Sequence, residues 1–282
     1  MNQVRYFTKL LLFWLSFFLV NRLFFAIYYQ SELSSLAPNE ILRVLPNALP
    51  LDFSFIAYLS AIFVLLLFIH SLCNHKAVSR IVSNLILALN YFFILVTSII
   101  MGSEISLYDE WSAKLNYTAI SHLKNPSEVF LTASFSNYIT LAVALTLGVL
   151  FMVIYKKCVH QRFENTRRNI LLSMIKLPIV LGLLLLVIRG GWGDVPLNTS
   201  DAYFSKHIIL NDLAVNPNWN LIQSVLKSKN DFKGNPYQKY SDIQSENFKT
   251  EFSEHKNKLT TPILNTKQPN IVFIILEGWS AD

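Results

Sequence analysis

Apolar and polar residues do not alternate along this chain; they segregate into long blocks. Five apolar runs, at 10–29, 53–72, 81–101, 138–155 and 170–188, each come close to the roughly 20 helical residues that cross a bilayer. None alternates as a half-buried strand would, and a backbone in lipid must satisfy its own hydrogen bonds. The pattern therefore predicts five transmembrane α-helices. The first run is longer than the roughly 7–15 apolar residues of a signal peptide. Asn21 and Arg22 interrupt it and no A-x-A cleavage site follows, so an uncleaved first helix is expected.

The polar blocks carry their own periodicity. Residues 103–130, SEISLYDEWSAKLNYTAISHLKNPSEVF, repeat apolar positions at helical spacing until Lys124-Asn125-Pro126. An interfacial helix is predicted there, with Tyr108 and Trp111 as anchors at headgroup level. Beyond the fifth run, Gly190 and Gly191 permit a sharp exit. Asn216-Pro217 then reads as an N-cap and first helical residue. The helix it opens carries a stripe of Trp219, Leu221, Ile222 and Val225, placing it on the membrane or against a following domain. Residues 229–268 are polar and read as a boundary. The expected division is a membrane domain at 1–190, a linker with interfacial helices at 191–268, and the start of a further domain at 269–282.

Composition sharpens the class. With 52% hydrophobic and 15% charged residues, an ordinary soluble domain is excluded. Charge sets orientation. Arg5, Lys9, Lys76, Arg80, Lys156, Lys157, Arg162, Arg167 and Arg168 fall before helix one and after helices two and four. The other two loops mix Arg43, Lys114 and Lys124 with Glu40, Glu104, Asp109, Glu110 and Glu128. The bias predicts a cytoplasmic N-terminus and an extracytoplasmic C-terminus in a multi-pass membrane protein. The net charge of +6 thus belongs to topology and anionic lipid, with no nucleic-acid partner implied. Cys73 and Cys158 fall at the cytoplasmic ends of helices two and four, and no cysteine is exported, so no disulfide framework is expected.

Polar residues within the spans are the next candidates, because they are costly in lipid. Arg22 would meet a lipid phosphate or an acidic partner at the outer rim, or simply snorkel. His70 and Lys176, near cytoplasmic ends, read as snorkelling side chains. Asp52, in LPLDFSF at the mouth of helix two, either caps that helix or faces headgroups. There is no row of buried acids and no pair of Gly/Pro-broken helices, which argues against an ion-coupled transporter. A polytopic binding or transport protein stays open as the alternative function.

The last stretch, PNIVFIILEGW at 269–279, is a continuous β-branched apolar run. It reads as a strand buried on both faces, as in a parallel sheet covered by helices. Ligands of open α/β folds sit beyond the carboxyl ends of such strands, where Glu277 stands. A carboxylate beside Gly278 is placed to bind a metal. A single strand cannot cover its own edges, which predicts a natural chain that continues past Asp282.

With this strand the chain resembles the lipoteichoic-acid-synthase-like membrane proteins of the alkaline phosphatase/sulfatase superfamily. Pro269, Asn270, Ile271, Val272, Ile274 and Glu277 are similar to the strand that opens their catalytic domain. Pro50–Ser54, Arg189–Gly191 and Pro196–Asn198 resemble segments at helix two and after helix five, so the likeness covers most of the chain. Gly278 departs from the serine common after that glutamate. The resemblance implies a five-helix α-helical membrane domain followed by the truncated start of an α/β sulfatase-like domain. It implies Glu277 as a ligand to a divalent cation (manganese, magnesium, calcium or zinc) and a threonine nucleophile beyond Asp282. The activity implied is a phosphoglycerol or phosphoethanolamine transferase, or a sulfatase-like hydrolase. It would work on membrane phospholipid or envelope polymers, and residues 1–282 alone would have no turnover. Asp52, Arg22 and Arg189 are the candidate lipid-headgroup contacts.

Overall fold

The computed structural model describes residues 3–73, 75–124, 133–163, 170–231 and 242–255, with single residues at 127, 131 and 272. Among the described residues every regular element is helical. Five helices are long and apolar enough to cross a membrane. They are α1 (Gln3–Tyr28), α4 (Val44–Leu72), α5 (Lys76–Trp111), α7 (Phe135–Ile154) and α8 (Ile170–Arg189). Short helices α2 (Gln30–Leu33) and α3 (Pro38–Leu42) lead from α1 to α4, and α6 (Tyr117–Ser121) follows α5. After α8 come α9 (Ile208–Ala214), α10 (Pro217–Asp231) and α11 (Asp242–His255). The expected strand at 269–277 lies outside the described residues.

Two of these long helices overrun their apolar runs. α4 starts at Val44 rather than near Phe53, so Asp52 lies well inside the helix and does not cap it. α5 continues to Trp111, where Ser112 turns left-handed at φ 46° and donates its N–H to Tyr108 O at 2.9 Å. The start of the segment expected to form a separate interfacial helix is therefore the last two turns of α5. Hydropathy marks where a helix can meet lipid; it does not mark where the helix stops, because a protein-covered helix end tolerates polar residues. Tyr108 is accordingly buried rather than set at headgroup level, while Trp111 stays partly exposed beside the His122 ring.

Packing divides into two layers along the bundle. One apolar cluster gathers aromatic residues of α1, α4, α7 and the turn that follows α7, among them Trp14, Phe17, Phe55, Phe63, Phe151 and Tyr155. His70 is buried there beside the Phe163 ring instead of reaching out to the rim. A second cluster joins Phe25 of α1, Leu51 of α4 and Met101 and Ile105 of α5 to Leu210, Leu213 and Trp219 of the segment after α8. This end of the bundle is called the linker end below, and the opposite one the N-terminal end. α5 and α7 meet along small residues: Ser98 and Gly102 face Ala144 and Gly148. A Cβ at Gly102 would lie 2.9 Å from Leu141 Cα, so the close approach of the two backbones requires glycine. α8 packs on α4 but buries no residue of its own.

Residues 1–230 form one compact unit, so the segment at 191–230 packs with the helices it follows. Residues 231–282 form a second unit; its α11 carries a surface ion pair between Lys249 and Glu246 at 3.1 Å.

Candidate functional site

The linker end holds the densest polar cluster among the described residues, and it is built from elements far apart in sequence. Arg22 comes from the last two turns of α1 and Asp52 from the third turn of α4. The guanidinium grips the carboxylate with both prongs, Nη1 to Oδ2 at 2.7 Å and Nη2 to Oδ1 at 2.8 Å. Its remaining donors go to the end of α9: Nε to Leu213 O and Nη2 to Ala214 O, both at 3.1 Å. Only 8% of Arg22 and 2% of Asp52 is exposed, so this is a buried ion pair and not a screened surface one.

Asn216 completes the cluster. Its Nδ2 donates to Asp52 Oδ1 at 2.8 Å, while its Oδ1 accepts from the backbone N–H groups of Asn218 and Trp219. One side chain therefore caps α10, as its sequence predicts, and bonds the acid of α4 as well. Trp219 then donates Nε1 to Ser54 Oγ at 3.2 Å, and the Ser54 hydroxyl donates to Ile188 O near the end of α8 at 2.9 Å. Thr97 of α5 donates to Asn218 Oδ1 at 3.1 Å. The stripe expected on α10 divides: Trp219 and Leu221 are buried against the bundle, whereas Ile222 stays exposed.

A second buried pair lies alongside. Lys114 Nζ donates to Glu104 Oε1 at 2.6 Å and to Asp212 O at 3.0 Å. Tyr108 donates its hydroxyl to Asp212 Oδ2 at 3.0 Å. Burial raises the Asp212 carboxyl above its ordinary range, opposed by the nearby Lys114 ammonium and the Tyr108 bond. Asn21, Arg22, Glu104, Lys114 and Asp212 border a cavity of about 20 Å³. That suffices for one water and for no organic substrate. Both cations, Arg22 and Lys114, are matched to acceptors on other segments, whereas the buried amide Nδ2 atoms of Asn21 and Asn218 are not; the charged bonds work as a lock between bundle and linker.

The sequence-derived candidates distribute as follows. Arg22 and Asp52 are brought together, against each other and the linker. Arg189 is apart from them at the end of α8, where Nη2 donates to the carbonyls of Gly193 and Asp194 at 3.0 and 3.1 Å. It shapes the turn in which Gly190 and Gly191 take φ values of 90° and 117°. Glu277 lies outside the described residues. Among those described, no group of three or more His, Cys, Asp and Glu side chains could hold a metal ion. Glu104 and Lys114 counted in the sequence only as loop charges, and Asp212 was not singled out. Their one available signal was an acid and a base within an otherwise apolar helical repeat. Compared with known protein families, curated proteins and solved structures, the chain matches none.

Proposed function

We propose that this chain is the membrane-anchoring part of a metal-dependent transferase or hydrolase that acts on lipid headgroups or envelope polymers. Its five helices hold an extracytoplasmic domain, opening on the stretch at 269–277, close to the outer leaflet. The observation that carries this reading is the lock at the linker end. Arg22, Asp52 and Asn216 tie the segment after α8 onto the bundle through buried bonds. A flexible tether needs no such anchoring; a domain whose substrate stays in the leaflet gains effective concentration from it. Arg22 with Asp52 and Lys114 with Glu104 form ion pairs at one end of the bundle instead of lining a path through it, which supports anchoring over transport.

Under this reading Glu277 is the residue of this chain that would ligate a divalent cation. Such a cation lowers the pKa of a coordinated hydroxyl and stabilises charge on a transferring phosphoryl group. The chain's own part is to fix where that chemistry occurs relative to the lipid surface.

The test is a vesicle assay on the complete gene product that carries this sequence. Phosphatidylglycerol or phosphatidylethanolamine serves as donor, with diacylglycerol release followed under added manganese or magnesium. Glu277→Gln should lower the metal-dependent rate by more than the roughly 10–100-fold that loss of a partner behind a metal ligand costs. An unchanged rate in that variant, or labelling of a cysteine at position 277 from the cytoplasmic side, sinks the proposal.

A further inference from the structure

A cleft of about 1130 Å³ lies between α1, α4 and α8. It follows α4 from Phe53 to Ser71, about 27 Å at 1.5 Å per residue, nearly the thickness of a bilayer's hydrocarbon core. Its α8 wall runs from Leu172 and Ser173 through Lys176, Leu177, Val180 and Leu184 to Val187, one face at helical spacing. On α4 the small side chains of Ala57 and Ser60 hollow out the opposite wall, and Phe7 and Leu11 of α1 line only the N-terminal half.

Polarity within the cleft is one-sided. Gln3, Thr8, Ser71, Ser173 and Lys176 all lie toward the N-terminal end, and the remainder is apolar except for Ser60. The Thr8 and Ser71 hydroxyl protons go to carbonyls of their own helices, and among the described residues Lys176 is the one charged residue lining the cleft, with Ser173 and Gln3 beside it at the same end. Ser173 and Lys176 are three apart and share a helix face. Lys176 is six residues past Ile170, about 9 Å along a 20-residue helix with no turns to spare. No aspartate or glutamate is among the residues that line the cleft.

The geometry points to a binding site for one anionic phospholipid of the leaflet at the N-terminal end. Its phosphate lies at Lys176, Ser173 and Gln3, and its acyl chains run along the apolar walls. A charge at the depth of Lys176 is costly unless it reaches an anion, and the cleft leads its ammonium to the headgroup level. One cation and no acid suits an anionic headgroup better than a zwitterionic one, whose ammonium would have no partner. A second copy's helix is the poorer occupant, because close helix pairing favours small residues and the α8 wall beyond Lys176 is leucine and valine. This inference stands independently of the proposed enzyme activity.

The test is native mass spectrometry of the whole chain in detergent, titrated with phosphatidylglycerol or phosphatidylcholine. One phosphatidylglycerol should be retained preferentially. Lys176→Gln should weaken that retention about fivefold, the scale of one basic residue near an anionic surface. Lys176→Arg should keep it. Arg80→Gln removes the same charge outside the cleft and should leave it unchanged. Equal retention of the two lipids overturns the proposal, as does equal loss in the Lys176→Gln and Arg80→Gln variants. So does disulfide pairing of Ser173→Cys between two copies with no lipid bound.

Discussion

Replacing Asp52 by alanine isolates the lock from everything else at the linker end. The substitution removes two of the four hydrogen bonds of Arg22 and one of Asn216, and leaves the guanidinium with only the carbonyls of Leu213 and Ala214. Arg22 is 8% exposed, so water cannot replace the lost carboxylate without opening the packing. Breaking one side of a buried pair costs about 3–5 kcal/mol, because an uncompensated charge is left behind. At roughly 1.4 kcal/mol per tenfold, that multiplies the undocked fraction of the segment at 208–228 by a hundredfold or more. Hydrogen exchange of the α10 amides reads this directly, since they exchange when α10 leaves the bundle. The Arg22→Met, Asp52→Leu double variant tests the cause. With no charge left to bury, it should exchange within about tenfold of the parent, although Asn216 still lacks its acceptor. If the single alanine variant exchanges within about threefold of the parent, the pair does not hold the linker and the anchoring argument fails.

Two further outcomes follow from separate parts of the fold. Gly102→Leu would drive a side chain into the Leu141 backbone and should destabilise the α5–α7 seam by about 1–3 kcal/mol. Gly182→Leu, on α8 with nothing within 4 Å, should leave thermal unfolding unchanged; equal effects would refute the seam. Asp212, raised above its ordinary 3.8 mainly by burial, binds its proton more tightly folded than unfolded. Its ionisation therefore opposes folding near neutral pH, and that penalty fades as pH falls through the raised value and is gone below the unfolded one. The melting temperature of the parent should gain on that of Asp212→Asn as pH drops from about 7 to about 4, and parallel curves would contradict this.

How much of this was legible beforehand depends on the range of each interaction. The cap at Asn216 was legible because its bonds reach only two and three residues ahead. The second role of that side chain was not, because its partner Asp52 is 164 positions away. Tyr108 and Trp111 looked alike as interfacial aromatics, but the segment after α8 covers one and leaves the other at the edge. Glu104 and Lys114 are ten residues apart, a spacing that no single helix face brings together, so only the turn after Trp111 could pair them.

The amino-acid order alone determined the five helices long and apolar enough to cross a membrane, since the cost of exposing backbone or charge to lipid is a property of each segment by itself. It determined as well where the chain turns polar, and it suggested Arg22 and Asp52 as costly residues that needed a reason. Which partner each of them took was decided by tertiary structure. Charges buried at low dielectric choose by distance and geometry, and those were set when α1, α4 and the segment after α8 packed into one layer.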